Sequence, residues 1–406
     1  MTYAVLDVET TIFQKGTPYA DCNRLCLVGL RIDGHNSVYD IEYSSTPYDE
    51  QLRELTALLY SVDCIVGFNL KFDLGWLARY GIFLPTNTRV FDCQLAEFIL
   101  DSQRLPFSSL NDCLSKYGLG SKSDVVERNY WDLGIDTPVI PMEVLYPYLE
   151  TDLEKTDELY LQCLSNMRPS GRESLFSLHM QDLRVLQEME FNGIQFDWAT
   201  MEQKALEAEQ ELGNINEQIR SYVPSSFREQ FNANSGDHTS ALLYGRDIQW
   251  REGTPYLHTY KTGPRAGKSE SRYKWNDHIE HFPRLVDPPE GSELKKHGFF
   301  SVDEETLKSI KTTRHSRVLV EALLRRSKVE KLLSTYYRGI PAHREKYDWA
   351  DGKVHGTYNQ CRAITGRLSS EKPNMQNLPE ELNQYIITRF DIGSAKISTL
   401  ETVNVV

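Results

Sequence analysis

The chain has 406 residues, enough for two or three domain-sized cores, and its 25% charged and 40% hydrophobic content is that of an ordinary soluble globular protein. No long uncharged apolar stretch occurs, so a transmembrane helix is not expected, and a strand-like run that meets an acid at Asp7 leaves no expected room for a signal peptide. The net charge of −13 speaks against a nucleic-acid partner until its distribution is seen: residues 1–165 hold 12 Lys and Arg against 25 Asp and Glu, while residues 166–406 hold 33 of each.

In chain order, residues 1–45 read as three strands, "TYAVLDVE", "LCLVGLRI" and "SVYDIEY", with "DGHN" turning between the last two. A helix follows, "YDEQLRELTALLYS", with Leu52, Leu55, Leu58 and Leu59 on one face. Then come a buried-strand run, "CIVGF", and a second helix, "NLKFDLGWLARYG", closed by Gly81; further helices fill roughly 91–165. Strands interspersed with helices indicate an α/β architecture. Residues 172–220 read as helical, broken by "FNGIQFD", and 246–300 as an insertion of irregular β structure and loops. Residues 301–338 return to helix, with eight Lys and Arg against two Glu between Lys311 and Arg338, and a Ser/Asn/Pro-rich loop spans Ile364 to Pro379. The seven cysteines are scattered and contain no CxxC pair, which suits reduced thiols in a cytoplasmic protein, bacterial or in a host cell if viral.

The chemistry lies in three acid-bearing segments. Side chains alternate along a strand, so Asp7 and Glu9 in "YAVLDVETT" share a face, where two like charges need a cation or proton between them. Asn69 and Asp73 in "GFNLKFDLGWL" stand at i and i+4 on one helix face, as do Tyr148 and Asp152 in "YPYLETDLEK". Each alone has a bland reading: solvent-facing acids on an edge strand, an Asn69 N-cap, an exposed acidic face. Together, in this order, they resemble the three motifs of the DEDD 3′–5′ exonucleases, in the variety with tyrosine in the third. That resemblance implies a ribonuclease-H-like mixed sheet with flanking helices, and two Mg²⁺ ions (Mn²⁺ as a substitute) held roughly 3.5–4 Å apart by Asp7, Glu9, Asp73 and Asp152. It makes Asp7 the bridging ligand, places Asp73 mainly on the second ion, and gives Tyr148 the orienting of the attacking water.

"GFNLKFD" and its surroundings look more specifically like the proofreading domain of family A DNA polymerases. On that resemblance Phe13 wedges beside the terminal bases, with core packing as its alternative, and Thr10 and Asn69 help hold the DNA 3′ end. "MEFNGIQFD", "FNANS" and above all "TGRLSSEKPNMQNLP" resemble the opening, thumb-entry and TGRLSS-x-x-PNLQN segments of the polymerase region. Arg367, Asn374 and Gln376 become primer-template contacts. The basic helices read as a mainly helical thumb, with Arg325, Arg326 and Lys328 neutralising phosphates without reading sequence. The expected division is exonuclease 1–167, start of the polymerase region 168–245, insertion 246–300, thumb helices and TGRLSS loop 301–380, and an atypical tail 381–406. Two decoys are set aside: "GPRAGKS" has three residues between its glycines where a P-loop has four, and His278 and His281 lack a cysteine partner.

The palm and fingers motifs of the family do not follow "QNLP". The expected activity is therefore removal of nucleotides from single-stranded or primer-template DNA 3′ ends, with no membrane partner, and synthesis would need a second polypeptide carrying palm and fingers. The rival readings are a non-catalytic DNA-binding subunit of a split polymerase and an RNA-trimming exonuclease of the same superfamily.

Overall fold

The computed structural model describes residues 2–41, 43 and 48–387; the part of the expected tail from 388 onward lies outside them. The chain divides into two compact units, Met1–Trp198 with Ile340–Val406, and Ala199–Gly339.

The first unit is built on a five-stranded sheet. β1 (Tyr3–Thr10), β2 (Leu25–Ile32) and β3 (His35–Asp40) run antiparallel, and the Asp33–Gly34 pair between β2 and β3 takes φ of 50° and 80°, the positive values a tight hairpin of this hand requires. After α1 (Tyr48–Ser61), β4 (Cys64–Gly67) joins β1 in parallel; after α2 (Leu70–Arg79), β5 (Arg89–Asp92) joins β4 in parallel, giving the order β3-β2-β1-β4-β5. β5 straddles the start of the stretch from about 91 that reads as helical, because four residues are too few to show a period.

α3 (Cys93–Leu100), α4 (Leu110–Tyr117), α5 (Val125–Asn129), α6 (Met142–Ser170) and α7 (Glu173–Asn192) complete the layers. Both sheet faces are covered, which is why the central strands are apolar on both sides. On one face Val5, Leu27 and Val66 pack with Leu145, Leu149 and Leu153 of α6. On the other, Ala4, Leu6 and Val8 pack with Leu55 and Leu59 of α1 and Trp76 and Leu77 of α2. Met180 and Leu183 of α7 and Cys361 belong to this second core. The compact unit thus runs past the expected boundary at 167 and takes up the chain again near 340, because α7 and the returning segment bury apolar surface there.

β6 (Ile194–Phe196) leads into α8 (Trp198–Arg220), which carries the chain into the second unit. This unit adds α9 (Gly236–Tyr244), β7 (Asp247–Thr259), β8 (Ser269–His281), α10 (Glu304–Ser309) and α11 (Arg314–Lys331), with a π-helical turn over Leu332–Tyr337. Two expectations are corrected here. The insertion is not irregular between 247 and 281: β7 and β8 form a two-stranded ribbon paired without a slip from Asp247↔His281 to Thr259↔Ser269. With both faces largely in water it needs no apolar alternation, so the pattern is mute. Arg326 is not a free phosphate contact: its buried guanidinium donates to Asn216 and Asn234 at 2.8 Å and to Glu330 at 3.0 Å. Arg325 pairs with Glu211 at 2.5 Å. "GPRAGKS" forms the far end of the ribbon, with no helix after it, and is no P-loop.

Back in the first unit, α12 (Gly339–Lys346) precedes β9 (Lys353–Val354), which pairs with β6, and β10 (Thr357–Asn359), which pairs with β11 (Ser369–Glu371); β12 (Ile386–Ile387) completes a β12-β6-β9 sheet. Among the described residues no helix is long and apolar enough to cross a membrane.

Candidate active site

β1 pairs with β2 so that Asp7 stands opposite Gly29 and Glu9 opposite Leu27, with an irregularity between Glu9 and Thr10. Gly29 sets the distance of α6 from the strand: a Cβ there would lie 2.7 Å from Leu153 Cδ1 and 3.0 Å from Leu149 Cγ. The closely seated helix presents Tyr148 and Asp152 to the face that carries Asp7 and Glu9. Asp73 comes from the first turn of α2 and is 2% exposed.

Asn69 occupies the N-cap position of α2 but does not cap it. It adopts a left-handed conformation (φ 59°, ψ 43°), its side chain makes no capping bond, and it is exposed. The free amides are taken by Asp92, whose carboxylate accepts from Asn69 N at 3.3 Å, Leu70 N at 2.8 Å and Leu95 N at 3.1 Å, holding the starts of α2 and α3 together.

The four acids repel one another in a poorly solvated place. Burial and the Asp152 carboxylate push Asp7 up to about 8, against the opposing pull of Lys122 and the Val8 amide. Burial, Asp7 and Asp152 raise Glu9 well above its ordinary value, and burial with Asp7 does the same to Asp73. Asp152 rises to about 6 through burial, held back by Lys122. Asp7 is the common member: it bears on Glu9 and Asp73 and is itself raised by Asp152. Clustered, buried carboxylates of this kind mark sites that hold a cation or work with protons.

Two residues at the site carry no signal in the sequence. Lys122 reaches in from the loop after α4, its Nζ 2.8 Å from Tyr148 Oη, 3.1 Å from Asp152 Oδ2 and 2.7 Å from Glu127 Oε1. The Tyr148 hydroxyl donates to Glu127 Oε1 at 2.8 Å, and its ring meets Trp131 edge to face with centroids 5.7 Å apart. Burial, Glu9 and Asp152 raise the Tyr148 phenol far above its ordinary range, so it stays protonated at neutral pH.

The residues fit a hard divalent cation. The donors are carboxylate oxygens, which Mg²⁺ prefers, and Asp152 Oδ1 is buried without a hydrogen-bond partner. Among the described residues no three Asp, Glu, His or Cys side chains already stand in coordinating positions, and the Lys122 ammonium supplies positive charge against the acids.

Thr10 is buried at the end of β1, where its hydroxyl donates to Thr11 O at 3.0 Å and its carbonyl accepts from Thr137 Oγ1 at 2.5 Å. Phe13 is 41% exposed, so the core-packing alternative fails and its ring is open to a ligand. Arg367, Asn374 and Gln376 are exposed on the segment around the β10–β11 pair, with Asn374 Oδ1 accepting from Gln376 N at 3.1 Å. Across the ribbon His281 Nδ1 lies 2.6 Å from Asp247 and His278 Nε2 3.4 Å from Glu252.

Comparison with known proteins matches residues 1–152 to a 3′–5′ exonuclease family and residues 282–396 to DNA polymerase family A. DNA polymerase I of Chloroflexus aurantiacus is 25% identical over 77% of this chain and 28% of its own length. DNA polymerase I of Aquifex aeolicus is 24% identical over 96% of this chain and 58% of its own length. The chain therefore spans less than two thirds of these relatives. A solved structure described as the POL domain of Pol1 from M. smegmatis, in complex with DNA primer-template and dNTP, superposes with a TM-score of 0.63 at 19% identity, covering 96% of this chain and 53% of that one. At that identity the likeness speaks to fold.

Proposed function

We propose that this chain, similar to family A DNA polymerase I and matched over residues 1–152 by a 3′–5′ exonuclease family, shortens DNA 3′ ends by phosphodiester hydrolysis at the cluster of Asp7, Glu9, Asp73 and Asp152. One observation carries the proposal: the half-buried Asp7 is electrostatically joined to three buried acids, one of which keeps an unpartnered oxygen. The strand order β3-β2-β1-β4-β5, antiparallel then parallel, supports reading the sheet as ribonuclease-H-like.

Asp7, Glu9 and Asp152 would hold one Mg²⁺, and Asp7 with Asp73 a second; Mn²⁺ suits the same oxygens. When bound, such ions supply an activated water and neutralise charge on the leaving oxygen. Tyr148 acts as a neutral phenol: held between Lys122 and Glu127, it orients the attacking water by hydrogen bonding and does not take its proton. Phe13 offers an exposed ring beside which the terminal base can stack, with Thr10 and Asn69 at the same end of the site. Arg367, Asn374 and Gln376 lie on an exposed loop suited to primer-template contacts. Polymerisation would draw on palm and fingers in addition to these residues.

The test uses 5′-labelled single-stranded DNA and Mg²⁺, beside an Asp7→Ala, Glu9→Ala control. Stepwise shortening lost in the control is expected; a folded wild-type chain that leaves the DNA intact would sink the proposal. If that chain still binds the DNA, the non-catalytic subunit is the better account. An RNA oligonucleotide run in parallel and trimmed in preference to DNA would favour the RNA exonuclease.

A further inference from the structure

The ribbon of β7 and β8 has no task in the hydrolysis. Its base is anchored by Ile248 and Phe282, both buried, with Phe282 meeting Phe227 edge to face at 5.5 Å. Farther out its side chains lose cover: Leu257 is 72% exposed, Tyr273 56% and Trp275 60%. Opposite residues of an antiparallel pair share a face, so the Pro255↔Tyr273, Gly253↔Trp275 and Leu257↔Ser271 pairs gather Leu257, Tyr273 and Trp275 on one side. That side is flat. The Tyr273 and Trp275 rings stack with centroids 5.8 Å apart and planes 30° from parallel, and they lie over Gly253, where a Cβ would come within 3.0 Å of both.

The charge around this platform is the reverse of the chain's. Residues 253–275 contain Lys261, Arg265, Lys268, Arg272 and Lys274 against one acid, Glu270. Glu270 is taken up by Arg272 at 2.6 Å and by the Tyr260 hydroxyl at 2.7 Å. Lys261, Lys268 and Lys274 make no ion pair among the described residues.

We propose that the ribbon is a second nucleic-acid site, separate from the exonuclease centre, that takes an unpaired DNA strand. Bases stack on the Tyr273–Trp275 platform while Lys261 and Arg265 at the far end of the ribbon, with Lys268 and Lys274 extending long stems from the opposite face, meet the phosphates. Exposed aromatics combined with tracking cations are the chemistry by which single strands are held without sequence preference. A duplex hides its base faces from such a platform, and an apolar protein partner gives no use to three unpaired lysines. The choice of DNA over RNA rests on the proposed exonuclease function; the ribbon's binding does not depend on hydrolysis.

The experiment is fluorescence anisotropy of the full chain with labelled oligo-dT of about twenty nucleotides, in EDTA so that no cleavage intervenes. Tyr273→Ala with Trp275→Ala is expected to weaken binding about tenfold or more, since stacking contributes about 1–3 kcal/mol per base. Lys261→Ser with Lys268→Ser is expected to flatten the salt dependence by about 1.4 in slope, at roughly 0.7 per phosphate for single strands. Tryptophan quenching by the oligonucleotide should fall in Trp275→Phe. These residues are exposed, so melting temperatures should hold, and exonuclease activity on a trinucleotide should not change. Unchanged affinity and slope in both variants would overturn the site. So would self-association of the wild-type chain that disappears in the aromatic variant while DNA binding persists, which would make the face an interface between copies. An affinity loss confined to duplex DNA would overturn the unpaired-strand assignment.

Discussion

Lys122 Nζ stands 3.1 Å from Asp152 Oδ2, while Asp152 Oδ1, which is buried, has no partner. One oxygen of the carboxylate is matched by a cation built into the protein, and the other is left for a cation from solution. Lys122→Met should therefore lower stability in EDTA by about 3 kcal/mol, the low end for removing one partner of a buried pair, because the Lys122 side chain keeps 20% exposure. Millimolar Mg²⁺ should return most of the loss by binding the folded state alone. Guanidinium melts with and without the metal check both halves, and an identical deficit in the two buffers would show that Lys122 serves packing alone.

Tyr148 permits a separation of binding from turnover. Tyr148→Phe keeps the ring against Trp131 and removes only the hydroxyl between Lys122 and Glu127. Nuclease turnover should fall by about 10²-fold, the low end for removing one preorganised hydrogen-bonding group at a reacting centre, with Mn²⁺ affinity by calorimetry within a factor of about two. Asp7→Ala should instead abolish both. A Tyr148→Phe protein with full turnover would remove the hydroxyl from the mechanism.

The carboxylates and Tyr148 were legible because their spacing is fixed by secondary structure: a period of two in β1, and one helical turn in α2 and α6. Lys122 was not, since "GLGSKSD" has no period and reaches the acids only through the packing of α4 and α5 near α6. Asn69 looked like a cap because residue type suggests one, but its positive φ turns the side chain away from the amides that Asp92 takes. The ribbon was misread for a different reason: strand recognition relies on one wet and one dry face, and this element has two wet ones.

The contact of Asp351 with His355 sets a pH dependence. His355 Nδ1 lies 2.7 Å from the Glu190 carbonyl and Nε2 lies 3.1 Å from Asp351 Oδ2. Partial burial pushes Asp351 up, but the His355 bond and the Lys353 amide outweigh it and hold the carboxyl at about 2, below its ordinary 3.8. A depressed folded value gives stability that is complete above the unfolded value and disappears as pH falls from about 4 to about 2. With the Asp351 side chain 44% exposed, screening reduces the contribution to about 1 kcal/mol. Urea melts of wild type and Asp351→Asn should differ by that amount at pH 6 and converge near pH 2; a gap that persists there would assign it to something other than charge.

Asp92 tests whether buried acids near the site are interchangeable. It is 4% exposed and raises the neighbouring Asp73, so by burial and charge it resembles a fifth member of the cluster. Its hydrogen bonds say otherwise: both oxygens are spent on amides at the starts of α2 and α3. Asp92→Ala leaves those amides without acceptors and should cost about 2–3 kcal/mol, two capping losses of about 1 kcal/mol each with some further desolvation. Below its melting temperature the variant should still bind Mn²⁺ with near wild-type stoichiometry, whereas Asp73→Ala should lose Mn²⁺ without a comparable loss of stability. The reverse pattern in calorimetry and thermal melts would exchange the two assignments, making Asp92 the ligand and Asp73 the structural acid.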